Sequence, residues 1–209
     1  MFAPALRRLG ALIFLSAWLA GSASADDSAA PPVPADLRWA SGVYRWHYNR
    51  ALEPPWLSPG AGLYLFQAAA DIWQACGLRI EFAGEIEQPA GRMDGLNVAG
   101  WSASLPPGHR GLTLRRREGA ALTEADVMIS ATNGELRASH ELLRKVILHE
   151  FGHALGLVHS ADCSDVMSFG VACRGIAPAD LPKRLAQGDL LQCINRYGKL
   201  PGPDRNPRL

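Results

Sequence analysis

The chain contains the run His149-Glu150-Phe151-Gly152-His153-Ala154-Leu155-Gly156-Leu157-Val158-His159, whose residue types and spacing can do metal chemistry. On a helix, residues four apart share a face, so His149 and His153 can hold one ion. Glu150 follows the first of them and can reach a metal-bound water without itself being a ligand. His159 falls six residues after His153, too far around a continuing helix to close the same tetrahedron. Gly156 resolves this: it can take a positive φ, end the helix and swing the chain back so that His159 supplies the third ligand. Three neutral imidazoles with an open fourth position suit a catalytic Zn²⁺. Zinc would bring the pKa of a water toward neutrality, and Glu150 would take its proton as general base and later protonate a leaving amine. At this chain's own residue frequencies the five fixed positions coincide by chance in roughly 10⁻⁵ of such chains. An ordinary amphipathic helix with surface histidines is therefore the weaker reading.

Other elements must carry this segment. Val43–Tyr48, Leu78–Phe82 and Leu96–Trp101 read as strands, with Gly111–Arg117 a fourth and the more buried Ala125–Ile129 a fifth. Leu63, Phe66, Ala70 and Trp73 recur at helical spacing, so Gly62–Cys76 reads as a helix stopped by Gly77. Asn133-Gly134 signals a turn, and Ser139 or a neighbour caps a long helix running to about Gly156. A cysteine-bracketed loop and a short helix at Gln187–Tyr197 follow.

Composition bounds the setting. Met1–Ala25 reads as a secretory signal, with Arg7 and Arg8 ahead of the apolar run Leu9–Ala20 and cleavage after Ala25. Removing it leaves 209 − 25 = 184 residues, which suits one domain. The 21 basic and 20 acidic residues of the chain become 19 and 20, a net charge of −1. Such a chain has no global field for nucleic acid or anionic lipid. Residues 26–40 read as a flexible N-terminal segment, 41–200 as the folded domain and 201–209 as a tail. No membrane association is expected of the mature form, and a monomer is. Four cysteines behind a signal predict two disulfides in an oxidising compartment, periplasmic or extracellular. Of three possible pairings, the favoured one joins Cys163–Cys173 across a short loop and Cys76–Cys193 between two distant helices.

The run from His149 to His159, with Met167 eight residues on, resembles the metzincin clan of zinc endopeptidases, HExxHxxGxxH followed by a methionine turn. In that clan the methionine underlies the zinc without binding it. Within the clan the chain is most similar to the matrixins, and in particular to small bacterial ones. Ser160 after the third histidine, Ala68–Phe82 as first helix and strand, and Leu185-Ala186-Gln187-Gly188-Asp189 through Arg196-Tyr197-Gly198 as closing helix carry that likeness. It spans about Val43 to Gly198. The implied fold is α+β: a metzincin-like zincin with a twisted, mostly parallel five-stranded sheet, an N-terminal helix, a zinc-binding helix and a small C-terminal subdomain. Three departures stand out. Asp26–Trp39 is too short for a pro-domain and carries no cysteine to block a metal. No ion-binding loop rich in His, Asp and Gly is recognisable, so Ca²⁺ is possible but not indicated. Phe169 stands where matrixins usually have Pro and where other metzincins place a Tyr, and it has no hydroxyl to offer.

The function expected from these features is that of a secreted zinc endopeptidase. Its peptide or protein substrate would lie extended and antiparallel along an edge strand. The primary pocket is expected beside His149 and the chain after Met167, including Phe169 and Gly170. The alternative is a catalytically silent, zinc-containing binding module of the same fold, for which Glu150 has no use. His47, His109 and His140 read as solvated or core residues, and Trp73 and Trp101 as core. Arg115-Arg116-Arg117 reads as a charged, solvated edge or, alternatively, as a site for acidic substrate side chains. Asp126 is open between a structural hydrogen-bonding group and a cation ligand. Asp162 and Asp165 read as turn caps before Ca²⁺ ligands.

Overall fold

A computed structural model describes residues 37–169, 173 and 175–198. The expected signal segment, most of the N-terminal linker, the tail after Leu200 and Gly170 lie outside the described residues. Alternating side chains build the first strand, β1 (Val43–Asn49): Tyr44, Trp46 and Tyr48 point inward and are fully buried, while Arg45 points outward and pairs with Glu81. The other strands are β2 (Arg79–Glu85), β3 (Val98–Ser102), β4 (Gly111–Glu118) and β5 (Ala121–Ser130). They form one sheet in the order β2-β1-β3-β5-β4. Every neighbouring pair is parallel except β4 and β5, which run antiparallel as a hairpin and leave β4 on an open edge.

The helices are α1 (Ala61–Trp73), α2 (Gly134–Ala138), α3 (His140–Ala154) and α4 (Gln187–Tyr197). α1 and α3 lie against the face that carries Tyr44, Trp46, Tyr48, Val127 and Ile129, where Phe66 and Phe151 fill the core between Tyr48, Trp46 and Tyr44. Trp73 and Trp101 are core, as read. Trp73 also has a specific partner: its indole N–H donates to Leu148 O at 2.7 Å, which fixes α1 against the middle of α3. The opposite face of β5 presents Glu124 and Asp126 to the loop before β3. Asp126 accepts from the Gly91 and Val98 amides, and Glu124 accepts from that of Gly95. Asp126 is thus a structural hydrogen-bonding group here.

Two local readings change. Asn133-Gly134 does not simply turn the chain. Asn133 Oδ1 accepts from the Glu135 and Leu136 amides and caps α2, a five-residue helix too short to show a period in the sequence. Ser139 then caps α3 through Leu142 N–H. The arginine row of β4 is not uniformly solvated either. Arg115 is half-buried against α3, whereas Arg116 and Arg117 are exposed, Arg116 pairing with the buried Glu124. Strand alternation separates Arg115 from Arg116, because up to that point odd positions of β4 face the helices and even positions face the loop. A register shift between Arg116 and Arg117 then breaks the alternation. Disulfides join Cys76 to Cys193 and Cys163 to Cys173. No helix among the described residues is long and apolar enough to cross a membrane.

Candidate metal centre

α3 brings His149 and His153 to one face, as their spacing requires. The helix ends at Ala154, two residues before the sequence suggests, and Gly156 then takes φ +90°. Only glycine fits there for a second reason, since a Cβ on Gly156 would collide with Leu37 O. Helix C-termini leave carbonyls unpaired, and here side chains from distant segments take them up. The Trp39 indole N–H donates to Ala154 O, Tyr197 Oη to Leu155 O, and Arg196 Nε to Gly156 O. Arg115 points at His153 O and Leu157 O from 3.4 and 3.5 Å. This collar holds the turn that returns His159 to the helix.

One ligand-capable atom from each of His149, His153 and His159 lies within 4.8 Å of the others. Among the described residues this is the one such group of metal-binding side chains. His149 Nδ1 donates to Val166 O at 2.9 Å and His153 Nδ1 to Leu157 O at 3.0 Å, which selects the tautomer and leaves each Nε2 lone pair free. His153 Nε2 and His159 Nε2 are 3.0 Å apart, close to the ~3.3 Å edge of a tetrahedron with zinc–nitrogen bonds of about 2.05 Å. Burial drives the His149 pKa well down, helped by His153 and Lys145. Burial and then His159 push that of His153 down to about 3. Both rings are therefore neutral at neutral pH, the form a metal binds. The donor set fits zinc: three converging imidazole nitrogens, with the two on α3 held neutral.

Glu150 is 7 % exposed, and burial pushes its carboxyl up to about 7 against the opposing effects of Thr113, Lys145 and Arg115. It lies against β4, where a Cβ on Gly111 would sit 2.6 to 2.9 Å from its side chain. Beneath α3, Met167 is fully buried and fills the space beside Gly152 and Trp73. Its turn is tightly tied. Asp189 accepts from the Val166, Met167 and Ala186 amides at 2.8, 3.0 and 2.9 Å. Asp165 accepts from Ser160 Oγ and Gly188 N–H, and Asp162 accepts from the Ser164 amide. Both aspartates therefore hold turns. Phe169 is half exposed and stacks on His159, with centroids 4.2 Å apart and an interplanar angle of 11°.

The sequence reading missed several supports. Lys145, one turn before His149, donates to Ser168 O at 3.1 Å and anchors the exit of the methionine turn. Arg196, Tyr197 and Asp189 entered that reading only through family likeness, and Thr113 not at all. Nothing in local spacing could have paired Thr113 with Glu150, although the alternation of β4 does place residues 111, 113 and 115 on one face. His47 is half-buried on β1, and His109 and His140 are exposed, all away from the cluster.

No curated protein matches the chain significantly in direct comparison. The matrixin family model matches residues 65–189, from α1 through the methionine turn to the start of α4. That span is more than half of the 209 residues and contains His149, His153, His159, Glu150 and the Met167 turn. With this match and a five-stranded α+β scaffold around three converging histidines, the chain belongs to the matrixin family of zinc metalloproteases.

Proposed function

We propose that this protein is a secreted zinc endopeptidase in which Glu150 is the general base. The carrying observation is the convergence of three histidines, two of them held neutral on α3, beside a buried, proton-seeking carboxyl on the same helix that faces an open sheet edge. His149, His153 and His159 would hold the zinc, which when bound supplies Lewis-acid chemistry for water and for a peptide carbonyl. Glu150 accepts a proton from the attacking water as its oxygen bonds to the carbonyl carbon. When the C–N bond breaks, the same carboxyl returns that proton to the departing amine nitrogen.

The edge strand supports the reading of an extended peptide as substrate. Ser130 N–H donates to Arg110 O, so in the β4–β5 register the even residues of β4 spend their backbone groups on β5. The N–H and C=O of Gly111, Thr113 and Arg115 then face outward, next to the metal centre. A peptide can add there as a further antiparallel strand, with backbone bonds giving affinity and side-chain pockets giving preference. The half-exposed Phe169 ring beside His159 offers an apolar wall for one such side chain. Two disulfides and the apolar leader at Leu9–Ala20 support export to an oxidising compartment.

The test is a peptide-library digest of the mature chain, with and without a chelator. Chelator-sensitive cleavage within chains, restored by zinc, is expected. No cleavage across the library at one zinc per chain would overturn the reading in favour of a binding module.

A further inference from the structure

Thr113 Oγ1 lies 2.7 Å from Glu150 Oε2 and 2.9 Å from the Glu150 main-chain oxygen. A hydroxyl carries one proton and two lone pairs, so it can donate to one of these oxygens at a time. Its partner carboxyl is buried, and among the described residues no cation lies within ion-pair distance of it. Lys145 and Arg115 act on it only through space, and Lys145 is committed to Ser168 O. Glu150 Oε1, by contrast, lies over Gly111, where the missing side chain leaves room that a Cβ would take.

We propose that Thr113 is a positioning residue that pins Glu150 Oε2 and thereby leaves Oε1, over Gly111, as the atom that carries the proton. The inference rests on the reading of Glu150 as general base. The two oxygens are thus assigned different jobs by two residues of one strand. Oε1 takes the proton of the water as the C–O bond forms, and gives it to the amine nitrogen as the C–N bond breaks. Oε2 keeps its bond to Thr113 throughout, so the carboxyl plane does not rotate between the two transfers. Proton transfer depends steeply on that geometry, and a displacement of about 1 Å can cost about a hundredfold in rate.

The placement of Thr113 has a second consequence. Its side chain grips the base while its backbone N–H and C=O face the open edge. A peptide bound along β4 would therefore bond directly to the residue that orients the base. The register of the peptide and the position of the carboxyl are then set by the same strand position.

Thr113→Val removes the hydroxyl and keeps the β-branched shape suited to a strand. The outward backbone groups stay in place, so KM is expected within about twofold of wild type. With the base unpinned, kcat is expected to fall by about ten- to a hundredfold with one zinc still bound per chain. Thr113→Ser keeps the hydroxyl and is expected to recover kcat to within about threefold. Full kcat in Thr113→Val, a rise in KM alone, or a Thr113→Ser as slow as the valine variant would overturn the proposal. A second measurement does not depend on turnover: thermal midpoints of the metal-free protein carrying Thr113→Val, Glu150→Ala or both. A midpoint shift from Thr113→Val that disappears in the Glu150→Ala background supports the pinned carboxyl, and equal shifts in both backgrounds overturn it. If the wild type cleaves nothing, the function proposed above fails, while this cycle still decides whether Thr113 holds Glu150.

Discussion

Gly152→Ala should loosen the protein although it improves the helix. Gly152 lies in α3 between His149 and His153, and in an exposed helix alanine would be favoured there by about 1 kcal/mol. Here a Cβ would collide with Met167 Sδ and lie 2.7 Å from Trp73 Cζ2, well inside the ~3.5–4.0 Å of a good contact. Neither neighbour can retreat easily. Trp73 is fully buried and its indole is bonded to Leu148 O, while the Met167 amide is bonded to Asp189. Overpacking of this kind costs about 1–3 kcal/mol, and two pinned neighbours place it near the upper end. Subtracting the helix gain leaves a net loss of about 2 kcal/mol, or roughly 4–8 °C in midpoint for a domain of this size. Denaturant unfolding of the metal-free protein reads this directly, as a lower midpoint with unchanged slope. Zinc affinity should fall with it, because a displaced Met167 carries Val166 O away from His149 Nδ1. In a Met167→Ala background the collision with Sδ is gone and the penalty should shrink, the close approach to Trp73 remaining. An alanine variant as stable as wild type, or one equally costly in both backgrounds, would refute the packing described for Met167.

Two further outcomes follow from burial and topology. In the metal-free protein the folded pKa of Glu150, about 7, lies above the ordinary 4.5, so folding favours its protonated form. Its contribution is fullest below pH 4.5 and is lost as the pH rises toward 7, costing up to about 3 kcal/mol. Glu150→Gln mimics the protonated group. Metal-free Glu150→Gln should match wild type near pH 4.5 and exceed it at pH 8, and an equal difference at both would count against a buried, destabilised carboxylate. The disulfides should differ in effect. Cys76–Cys193 spans 117 residues and closes a loop worth ~5 kcal/mol on the chain-entropy account, against ~3 for Cys163–Cys173, which spans 10. Paired alanine substitutions should therefore lower the unfolding midpoint more at the long bridge. The reverse order would show that local order around the methionine turn, not chain entropy, dominates.

The parts of this site legible in the sequence are those set by local geometry. Four-residue spacing brings His149 and His153 together, and the glycine at 156 is needed to return His159. Alternation of large and polar residues likewise marks Val43–Tyr48 as a strand, and in β1 its Tyr44, Trp46 and Tyr48 form the buried row. The remainder depends on contacts between segments far apart in the chain, which no local period encodes. Thr113 meets Glu150 across 37 positions, Asp189 meets Met167 across 22, and Arg196 meets Gly156 across 40. Arg115 shows how such contacts override type: a charged residue on an edge strand reads as solvated, yet its parity aims it at α3. Gly152 was visible only as a variable position of the zinc motif, because its restriction comes from a methionine 15 residues later and a tryptophan 79 residues earlier.

The central claim is that Glu150 moves the proton while the histidines alone hold the metal. Glu150→Gln isolates it, since the amide keeps the shape and removes the base. The variant and the wild type are to be loaded with zinc, their metal content measured, and peptide cleavage followed near neutral pH. One zinc per chain in both proteins, with kcat of the variant reduced by about a thousandfold or more, is the expected result. Undiminished turnover in a zinc-loaded Glu150→Gln would contradict the account.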